Sequence, residues 1–384
     1  MLTFKSAPED FQVEERLELS PGHVGEFSYY RLVKRDITTW RALREILEAF
    51  KLTSDRASVA GLKDKVAVAT QHLSLAGGPP RGLEQAQFKL EYLGAGDQPI
   101  ESAASRGNRF TVVLRDAKAG DAARVRDLLE QAARHGLPNY FDSQRFGSLR
   151  GGGDFPVRRL LRGDVLGALE TLLCTESRFD HPVKRRQRRH VRAHWGDWTA
   201  CLTDAAPLDR RILEALQKSP GEPMRAYRRV PKKLQLMFLH AYQSYLYNEI
   251  LAEALRRAFP AERLLEVWYL AGKLVLPREP SQETRAWLAA VDLPLPAPGV
   301  APRPAWKDAA EAVLAREGMS FDRLKFADER DGFFRALSRP ALLAPEDACV
   351  VEPAPAPSAV RVRFALPPGT YATILLKWLG QAVG

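Results

Sequence analysis

The chain has 384 residues and a net charge of +10, from 57 lysines and arginines against 47 aspartates and glutamates. A basic balance of this size favours a polyanionic partner, and the length, with 45% hydrophobic residues, allows two or three domains with sizeable cores. Three widely spaced cysteines exclude a disulfide framework, and the lack of a signal sequence or of an apolar run near ~18 residues predicts a cytoplasmic protein.

The first part of the chain predicts a sheet with two helices. Alternating apolar residues predict strands at about 11–19, 26–34, 88–93 and 110–115. Apolar residues spaced three to four apart predict a helix that Thr39 caps and that runs to Phe50, and a second helix that begins at Asp121. An α+β domain follows from this order of elements.

Beyond the first part of the chain, the pattern changes to helices of high charge. The longest is predicted over 234–255, where a broad apolar face recurs at helical spacing. The chain returns to a strand at 360–366, in which basic and apolar residues alternate. We therefore predict an α/β insertion domain at 151–339, which interrupts a discontinuous sheet domain formed by 1–150 and 340–384.

Asp64 stands between Lys63 and Lys65 in a turn that follows Gly61 and leads into a strand-like run. The flanking ammonium groups favour the ionised carboxylate. A turn between strands can hold a side chain at the mouth of a cleft rather than in a core. Such a carboxylate is a candidate nucleophile or base that needs no metal, although the same pattern also occurs in solvated loops.

Three further motifs accompany this turn in a fixed order along the chain. They are Pro8-Glu9-Asp10-Phe11 near the start, Asn139-Tyr140-Phe141 with Gln144-Arg145-Phe146-Gly147 in the middle, and Arg363-Phe364-Ala365-Leu366-Pro367-Pro368-Gly369 near the end. Together with Gly61-Leu62-Lys63-Asp64-Lys65, they resemble the signature set of the TruD family of tRNA pseudouridine synthases. The resemblance extends over nearly the whole chain and is less specific between about Ser148 and Leu343.

This resemblance implies a mixed, mainly antiparallel sheet of the pseudouridine synthase type, interrupted by an insertion domain. It also implies that the chain isomerises a uridine of tRNA, uridine 13 near the D arm, to pseudouridine without a cofactor. By motif position, Asp64 matches the family's catalytic aspartate and Lys5 its basic partner. A solvated lysine near the start of the chain is the alternative for Lys5.

The reaction breaks the C1′–N1 bond, turns the released uracil and forms a C1′–C5 bond, with no redox change and no group removed. An ionised Asp64 can attack C1′, or it can remove the C2′ proton to give a glycal. The residues do not decide between these routes.

The uridine must first leave its stack and lie against an aromatic or apolar wall. Phe141 is the candidate that stacks on the uracil, and Asn139 the candidate that binds the base edge or orients Asp64. Phe11 and Phe364 match the family's other pocket phenylalanines, although a phenylalanine in a strand is more often a core residue.

Several cations are candidate contacts for RNA phosphates. Lys63, Lys65 and Arg145 lie in the motifs, and the run Lys184–Arg192 has six cations in nine residues. The candidates within this run are Arg185, Arg186, Arg188 and Arg189, and a second basic cluster comprises Arg225, Arg228, Arg229, Lys232 and Lys233. A solvated face is the alternative for either cluster.

The expected partner is tRNA, and we expect a monomer with no obligate protein partner, no metal and no membrane contact. Two other classes remain open: an RNA-binding protein without catalysis, and a metal-dependent nuclease or glycosidase. The presence of Asp64, Asn139 and Phe141 argues against the first. The second needs another carboxylate near Asp64, and none lies near it in sequence. A synthase that acts on another RNA is a further alternative.

Overall fold

The computed structural model describes residues 2–149, 154–177, 180–326, 334–352, 356 and 358–384. The chain forms two compact units. Unit 1 comprises Met1–Leu137, Glu279–Arg285 and Leu342–Gly384, and unit 2 comprises Pro138–Arg278 and Ala286–Ala341. Each unit is therefore discontinuous in sequence.

The secondary-structure elements are as follows. The strands are β1 (Phe11–Leu17), β2 (Phe27–Arg35), β3 (Ala57–Val59), β4 (Val68–Ala76), β5 (Leu83–Gln85), β6 (Phe88–Gly96), β7 (Ser105–Arg115), β8 (Leu137–Pro138), β9 (Leu264–Tyr269), β10 (Gly272–Pro277), β11 (Leu342–Leu343), β12 (Glu346–Val350) and β13 (Ala359–Leu366). The helices are α1 (Thr39–Phe50), α2 (Asp121–His135), α3 (Pro156–Leu161), α4 (Val165–Cys174), α5 (Pro182–Ala193), α6 (Trp198–Cys201), α7 (Pro207–Lys218), α8 (Pro223–Tyr227), α9 (Lys232–Ala258), α10 (Gln282–Ala290), α11 (Lys307–Arg316) and α12 (Ala372–Val383).

Unit 1 is built on a nine-stranded sheet in the order β12-β13-β7-β1-β4-β2-β6-β5, with β3 paired to β4 outside this order. β1 and β4 run parallel. The other described pairs of this sheet are antiparallel. The predicted mixed, mainly antiparallel α+β architecture is therefore confirmed.

Helix α1 packs on this sheet and fixes the chain next to the candidate site. Leu43 and Ile46 of α1 share a buried cluster with Leu32 of β2, and each such side chain contributes roughly 1.5–3 kcal/mol on burial. The helix is capped by Thr38, whose hydroxyl accepts from the main-chain nitrogen of Arg41 at 3.2 Å. The prediction that Thr39 is the cap was wrong, because the Thr39 hydroxyl is used elsewhere.

Unit 2 is organised around α9, whose 27 residues include the helix predicted over 234–255. Helices α3 and α11 and strand β10 pack against α9. The strands β9 and β10 form an antiparallel hairpin, with Tyr269 opposite Gly272. Unit 2 thus contains the predicted long helix together with a two-stranded sheet. No described helix is long and apolar enough to cross a membrane.

The insertion was predicted to begin at 151, whereas unit 2 begins at Pro138. The reason is packing, because the main chain of Phe141 exchanges two hydrogen bonds with the amide of Asn248 on α9, at 2.9 and 2.8 Å. The Tyr140 hydroxyl also donates to the carbonyl of Val275 at 2.8 Å. Residues 150–153, where the predicted boundary falls, lie outside the described residues.

Candidate active site

The parallel pairing of β1 with β4 brings two distant segments to one edge of the sheet. Gln12 lies opposite Val68, and parallel strands begin at the same edge. The segments that precede the two strands, which carry Lys5 and Asp64, therefore meet there. The end of β2 lies at this edge too, because Arg35 is also opposite Val68 in an antiparallel pair.

Lys5 and Asp64 form an ion pair in which the ammonium donates to a carboxylate oxygen. Their side chains are 21% and 25% exposed, so the pair is partly withdrawn from water but open on one side. The same ammonium lies 3.9 Å from the centroid of the Phe11 ring, a cation–π contact worth roughly 0.5–2 kcal/mol. The predicted partners are brought together, and their catalytic role stays a prediction.

The Glu-Asp-Phe motif fixes the arm that carries Lys5. The carboxylate of Asp10 is buried and accepts two hydrogen bonds from the Arg115 guanidinium, at 2.8 and 2.7 Å, which hold the pKa of Asp10 below its usual range. The main chain of Thr3 pairs with that of Arg115. Lys5 itself has a φ of 64°, a left-handed conformation that costs roughly 1–2 kcal/mol. Strain of this kind is frequent at functional sites.

The turn that carries Asp64 rests on neutral polar side chains. The main-chain nitrogen of Lys63 donates to the Thr39 hydroxyl at 3.2 Å. That hydroxyl donates in turn to the side-chain oxygen of Gln71 at 2.8 Å, and the Gln71 amide reaches the Gly61 carbonyl at 3.5 Å. These bonds explain why Thr39 does not cap α1, and they fix the backbone on either side of Leu62.

A buried ion pair lies beside this turn. The Lys63 ammonium donates to the Glu15 carboxylate at 2.5 Å, and the Lys63 side chain is only 8% exposed. Glu15 also accepts from the main-chain nitrogen of His72 at 2.8 Å. Burial disfavours the charged form of Glu15, but hydrogen bonds from His72 and the Lys63 ammonium outweigh it and hold its pKa below the usual range. This position favours a structural role for Lys63 over the predicted contact with RNA.

Phe11, Phe110 and Phe364 form an aromatic row across β1, β7 and β13. Their ring centroids are 5.8 Å apart between Phe11 and Phe110 and 5.3 Å apart between Phe110 and Phe364. All three are buried. The Phe11 ring contacts the Lys5 ammonium and so helps to position it. The predicted contacts of Phe11 and Phe364 with substrate stay predictions.

Asn139 and Phe141 lie in unit 2, where both contact Arg339. The Arg339 guanidinium donates to the side-chain oxygen of Asn139 at 2.8 Å and lies 3.9 Å from the Phe141 ring centroid. The Asn139 amide donates to the Pro340 carbonyl at 2.9 Å. Arg145 is half-buried, 5.4 Å from the Phe141 ring. Their proposed contacts with the uracil or with phosphate stay predictions.

The predicted phosphate contacts of α5 differ in exposure. Arg186 and Arg189 are exposed, as is Lys65 in unit 1. Arg188 is buried, forms an ion pair with Asp180 at 2.8 Å and donates to the carbonyl of Leu172. The prediction for Arg188 is therefore corrected, because this side chain ties α5 to α4 and does not face solvent. Arg185 is half-buried, and its contact with RNA stays a prediction.

A cavity of about 520 Å³ in unit 2 lies between α7 and the end of α8. Its lining includes four exposed cations and one carboxylate: Arg211, Lys218, Arg228, Arg229 and Glu214. Arg228 and Arg229 belong to the second basic cluster of the sequence. Arg211 and Lys218 were missed, although their separation of seven residues places them on one face of a helix. The excess of positive charge favours a phosphate ligand.

Other residues of the site were also missed. Lys34 donates to the main-chain carbonyl of Asp64 at 2.5 Å. The alternation of β2 could have indicated this residue, because Lys34 follows Tyr30 and Leu32 at the inward-facing positions. Phe110 carried no signal, because its place in the aromatic row depends on which strands pair. Among the residues that the structure describes, no group of three or more His, Cys, Asp or Glu side chains is arranged to hold a metal ion.

Comparisons with known proteins agree with the four motifs. A family model described as tRNA pseudouridine synthase D (TruD) matches residues 2–379. The chain is 31% identical over 393 residues to tRNA pseudouridine synthase D of Aquifex aeolicus, and 28% identical over 394 residues to probable tRNA pseudouridine synthase D 1 of Methanococcus maripaludis, with 98% of both chains covered each time. A crystal structure from Methanosarcina mazei that carries the TruD name has a similar fold, with a TM-score of 0.73 and 24% identity over 98% of this chain and 93% of that one.

The buried pair can be tested by removing one charge and then both. Glu15→Gln leaves the Lys63 ammonium without its counter-charge, and we expect the free energy of unfolding to fall by roughly 3–5 kcal/mol. Glu15→Gln with Lys63→Met should recover most of this difference. The pKa of Glu15 is lowered in the folded state. The loss of unfolding free energy in Glu15→Gln should therefore be complete above the pKa of glutamate in the unfolded chain, about 4.3, and should shrink as the pH falls below it.

Urea unfolding at pH 7 measures these differences, and the exposed Glu84→Gln serves as the control. A single variant as stable as the parent, or a double variant no better than the single one, would contradict the stabilising role of the pair.

Proposed function

The chain belongs to the tRNA pseudouridine synthase D (TruD) family, and we propose that it converts uridine 13 of tRNA to pseudouridine with Asp64 as the reacting carboxylate. The enzyme class follows from the family: the chain is a tRNA pseudouridine synthase, an isomerase that converts a uridine of tRNA to pseudouridine. The position in tRNA and the role of Asp64 are the proposed part.

The observation that carries the proposal is the ion pair of Lys5 with Asp64 at the edge of the sheet. Lys5 is held by the Phe11 ring and by its strained backbone, so the ammonium fixes one carboxylate oxygen in place. A quarter of the Asp64 side-chain surface is exposed. A sugar carbon can therefore approach an oriented anion, the geometry that both chemical routes require.

The two routes share one balance of atoms. The C1′–N1 bond breaks and its electron pair leaves with the uracil, a C1′–C5 bond forms, the C5 proton departs and N1 gains a proton. In one route Asp64 bonds to C1′ and is later displaced by C5. In the other it takes the C2′ proton, a glycal forms, and the proton returns to C2′ as the C1′–C5 bond forms. Each route needs the negative charge of Asp64 and neither needs a redox partner.

Asn139 and Phe141 are our candidates for uracil contacts. Their support is the resemblance to the family motif, together with Arg339, which holds the Asn139 amide and one side of the Phe141 ring in fixed positions. A base stacked on an aromatic ring gains roughly 1–3 kcal/mol. In unit 1, Phe11 and Phe364 are proposed as pocket phenylalanines on the same resemblance to the family.

We also propose that the enzyme works as a monomer in the cytoplasm, where its tRNA substrate is found. Both units have their own buried cores, so that neither needs a second copy to fold. Light scattering of the purified chain, alone and with tRNA, should give the mass of one chain, and a mass of two would overturn the monomer.

Asp64→Asn keeps the shape of the side chain and removes its charge. We expect isomerisation to fall by roughly 10²–10⁴-fold or more, while tRNA affinity is kept or slightly raised because a repulsion from phosphates is removed. The measurement is single-turnover isomerisation of tRNA by saturating enzyme, with mapping of the pseudouridine position, a binding titration and a melt.

Asp97→Asn, an exposed aspartate of the same unit, is the matched control and should behave as the parent. Activity of Asp64→Asn within about tenfold of the parent would show that this carboxylate is neither nucleophile nor base. Pseudouridine at a position other than 13 would overturn the proposed site in tRNA and leave the role of Asp64 standing.

The basic cavity of unit 2 is proposed to hold a tRNA phosphate. Arg211→Ala with Lys218→Ala should weaken tRNA binding and lower the slope of log affinity against log salt by about 1 for each phosphate that the variant no longer neutralises. Single-turnover chemistry at saturating enzyme should change little.

Arg256→Ala with Arg257→Ala removes the same charge from α9, where both cations have carboxylate partners within unit 2, and it serves as the control. An equal effect of both pairs would mean that net charge, and not the cavity, sets the affinity. The pair Arg186→Ala with Arg189→Ala tests α5 by the same titration.

A further inference from the structure

Lys34 is a fully buried lysine, which is rare in proteins. It is the second-last residue of β2, its residue surface is 0% exposed, and Ala69 and Phe88 lie opposite it on the neighbouring strands. Its ammonium donates to the main-chain carbonyl of Asp64 at 2.5 Å and to that of Ile37 at 2.8 Å. Burying an ammonium is costly unless it is paired, so the position needs a reason.

We propose that Lys34 is a positioning residue for the isomerisation, which holds the backbone of Asp64 from inside the sheet and supplies a positive charge beneath its carboxylate. This inference rests on the proposed role of Asp64. Lys5 donates to the carboxylate, and the fully buried Lys34 donates to the main-chain carbonyl of the same residue. Together the two lysines restrain both the side chain and the backbone of Asp64.

The charge of Lys34 is what distinguishes it from the other supports of the turn. Thr39 and Gln71 hold the backbone through neutral groups. An apolar side chain such as methionine would fill the same space without the cost of a buried charge. A lysine at this position is explained if its charge acts on the carboxylate of Asp64.

The surroundings of Lys34 make this charge sensitive to pH. Burial lowers the pKa of Lys34 to about 8, while Asp64 and Asp36 raise it and Lys63 lowers it. The Lys63 charge is itself offset by its ion pair with Glu15. Lys34 is therefore charged below about pH 8 and neutral above it, within a range in which tRNA and the fold can be studied.

The first test compares Lys34→Met with the parent. At pH 7 we expect the single-turnover rate to fall roughly tenfold to hundredfold, tRNA affinity to stay within about twofold, and the melting temperature to be equal or higher because a buried charge is gone. The control is Lys89→Met, which removes an exposed lysine from the adjacent strand β6 and should leave all three values unchanged.

The second test is the pH profile of the single-turnover rate between pH 6 and 9. The parent should lose activity with an apparent pKa near that of Lys34, about 8, and Lys34→Met should lack this alkaline limb. Asp36→Asn should move the limb of the parent to lower pH, because Asp36 favours the charged lysine. Asp36 has a φ of 50°, which asparagine tolerates, so this variant should fold even if Lys34→Met does not.

Any one of three results would overturn the proposal. The parent rate could be constant up to pH 9, Asp36→Asn could leave the alkaline limb where it is, or Lys34→Met could react within about twofold of the parent rate. Asp64→Asn assayed beside these variants separates the two claims. If Asp64→Asn is inactive while Lys34→Met is fully active, only the role of Lys34 fails. If Asp64→Asn is active, the proposed function fails first.

Discussion

The site depends on the parallel pairing of β1 with β4 in a sheet whose other described pairs are antiparallel. In an antiparallel pair, the segments that precede the two strands leave from opposite edges. The parallel pair makes both of them leave from the same edge, so that Lys5 and Asp64 meet although they are far apart in sequence. The antiparallel neighbour β2 then ends at this edge and places Lys34 beneath the turn. Strand direction brings two lysines and one aspartate to this edge, and the contacts of Asp10, Thr39 and Gln71 then fix the segments that carry Lys5 and Asp64.

The turn around Asp64 is stabilised by buried charged and polar side chains, which protein cores rarely contain. Exposed ion pairs such as Arg41 with Glu45 contribute little to stability. The pair of Glu15 with Lys63 is different, because it is buried and bonded on several sides. Replacing a buried ion pair by apolar side chains of similar volume is often neutral or stabilising, so stability alone does not account for this pair. We interpret the buried polar groups as contacts that specify the conformation of the turn that carries Asp64.

Strands and helices with strong periodicity were predictable because their signal is local, and the Lys5–Asp64 partnership followed from motif positions. Features that depend on partners distant in sequence were not predictable. Thr38 and Thr39 both suit a helix cap, and contacts of Thr39 with Gln71 and Lys63 decide between them. Arg339 lies 200 residues from Asn139 in the chain. In the basic run of α5 every arginine looks alike in sequence, and only the packing of α4 shows that Arg188 faces inward.

The place of β13 in the sheet has a consequence for how the protein is made. β13 pairs with β7 from Ala359 to Leu366, and all of unit 2 is encoded between them. A ribosome adds roughly 5–20 residues per second, so β7 is complete many seconds before its partner leaves the exit tunnel. During that interval β7 has an open edge and the Phe110 ring lacks its cover, a combination that promotes aggregation of nascent chains. We therefore expect the sheet of unit 1 to be completed only after unit 2 and β13 have been translated.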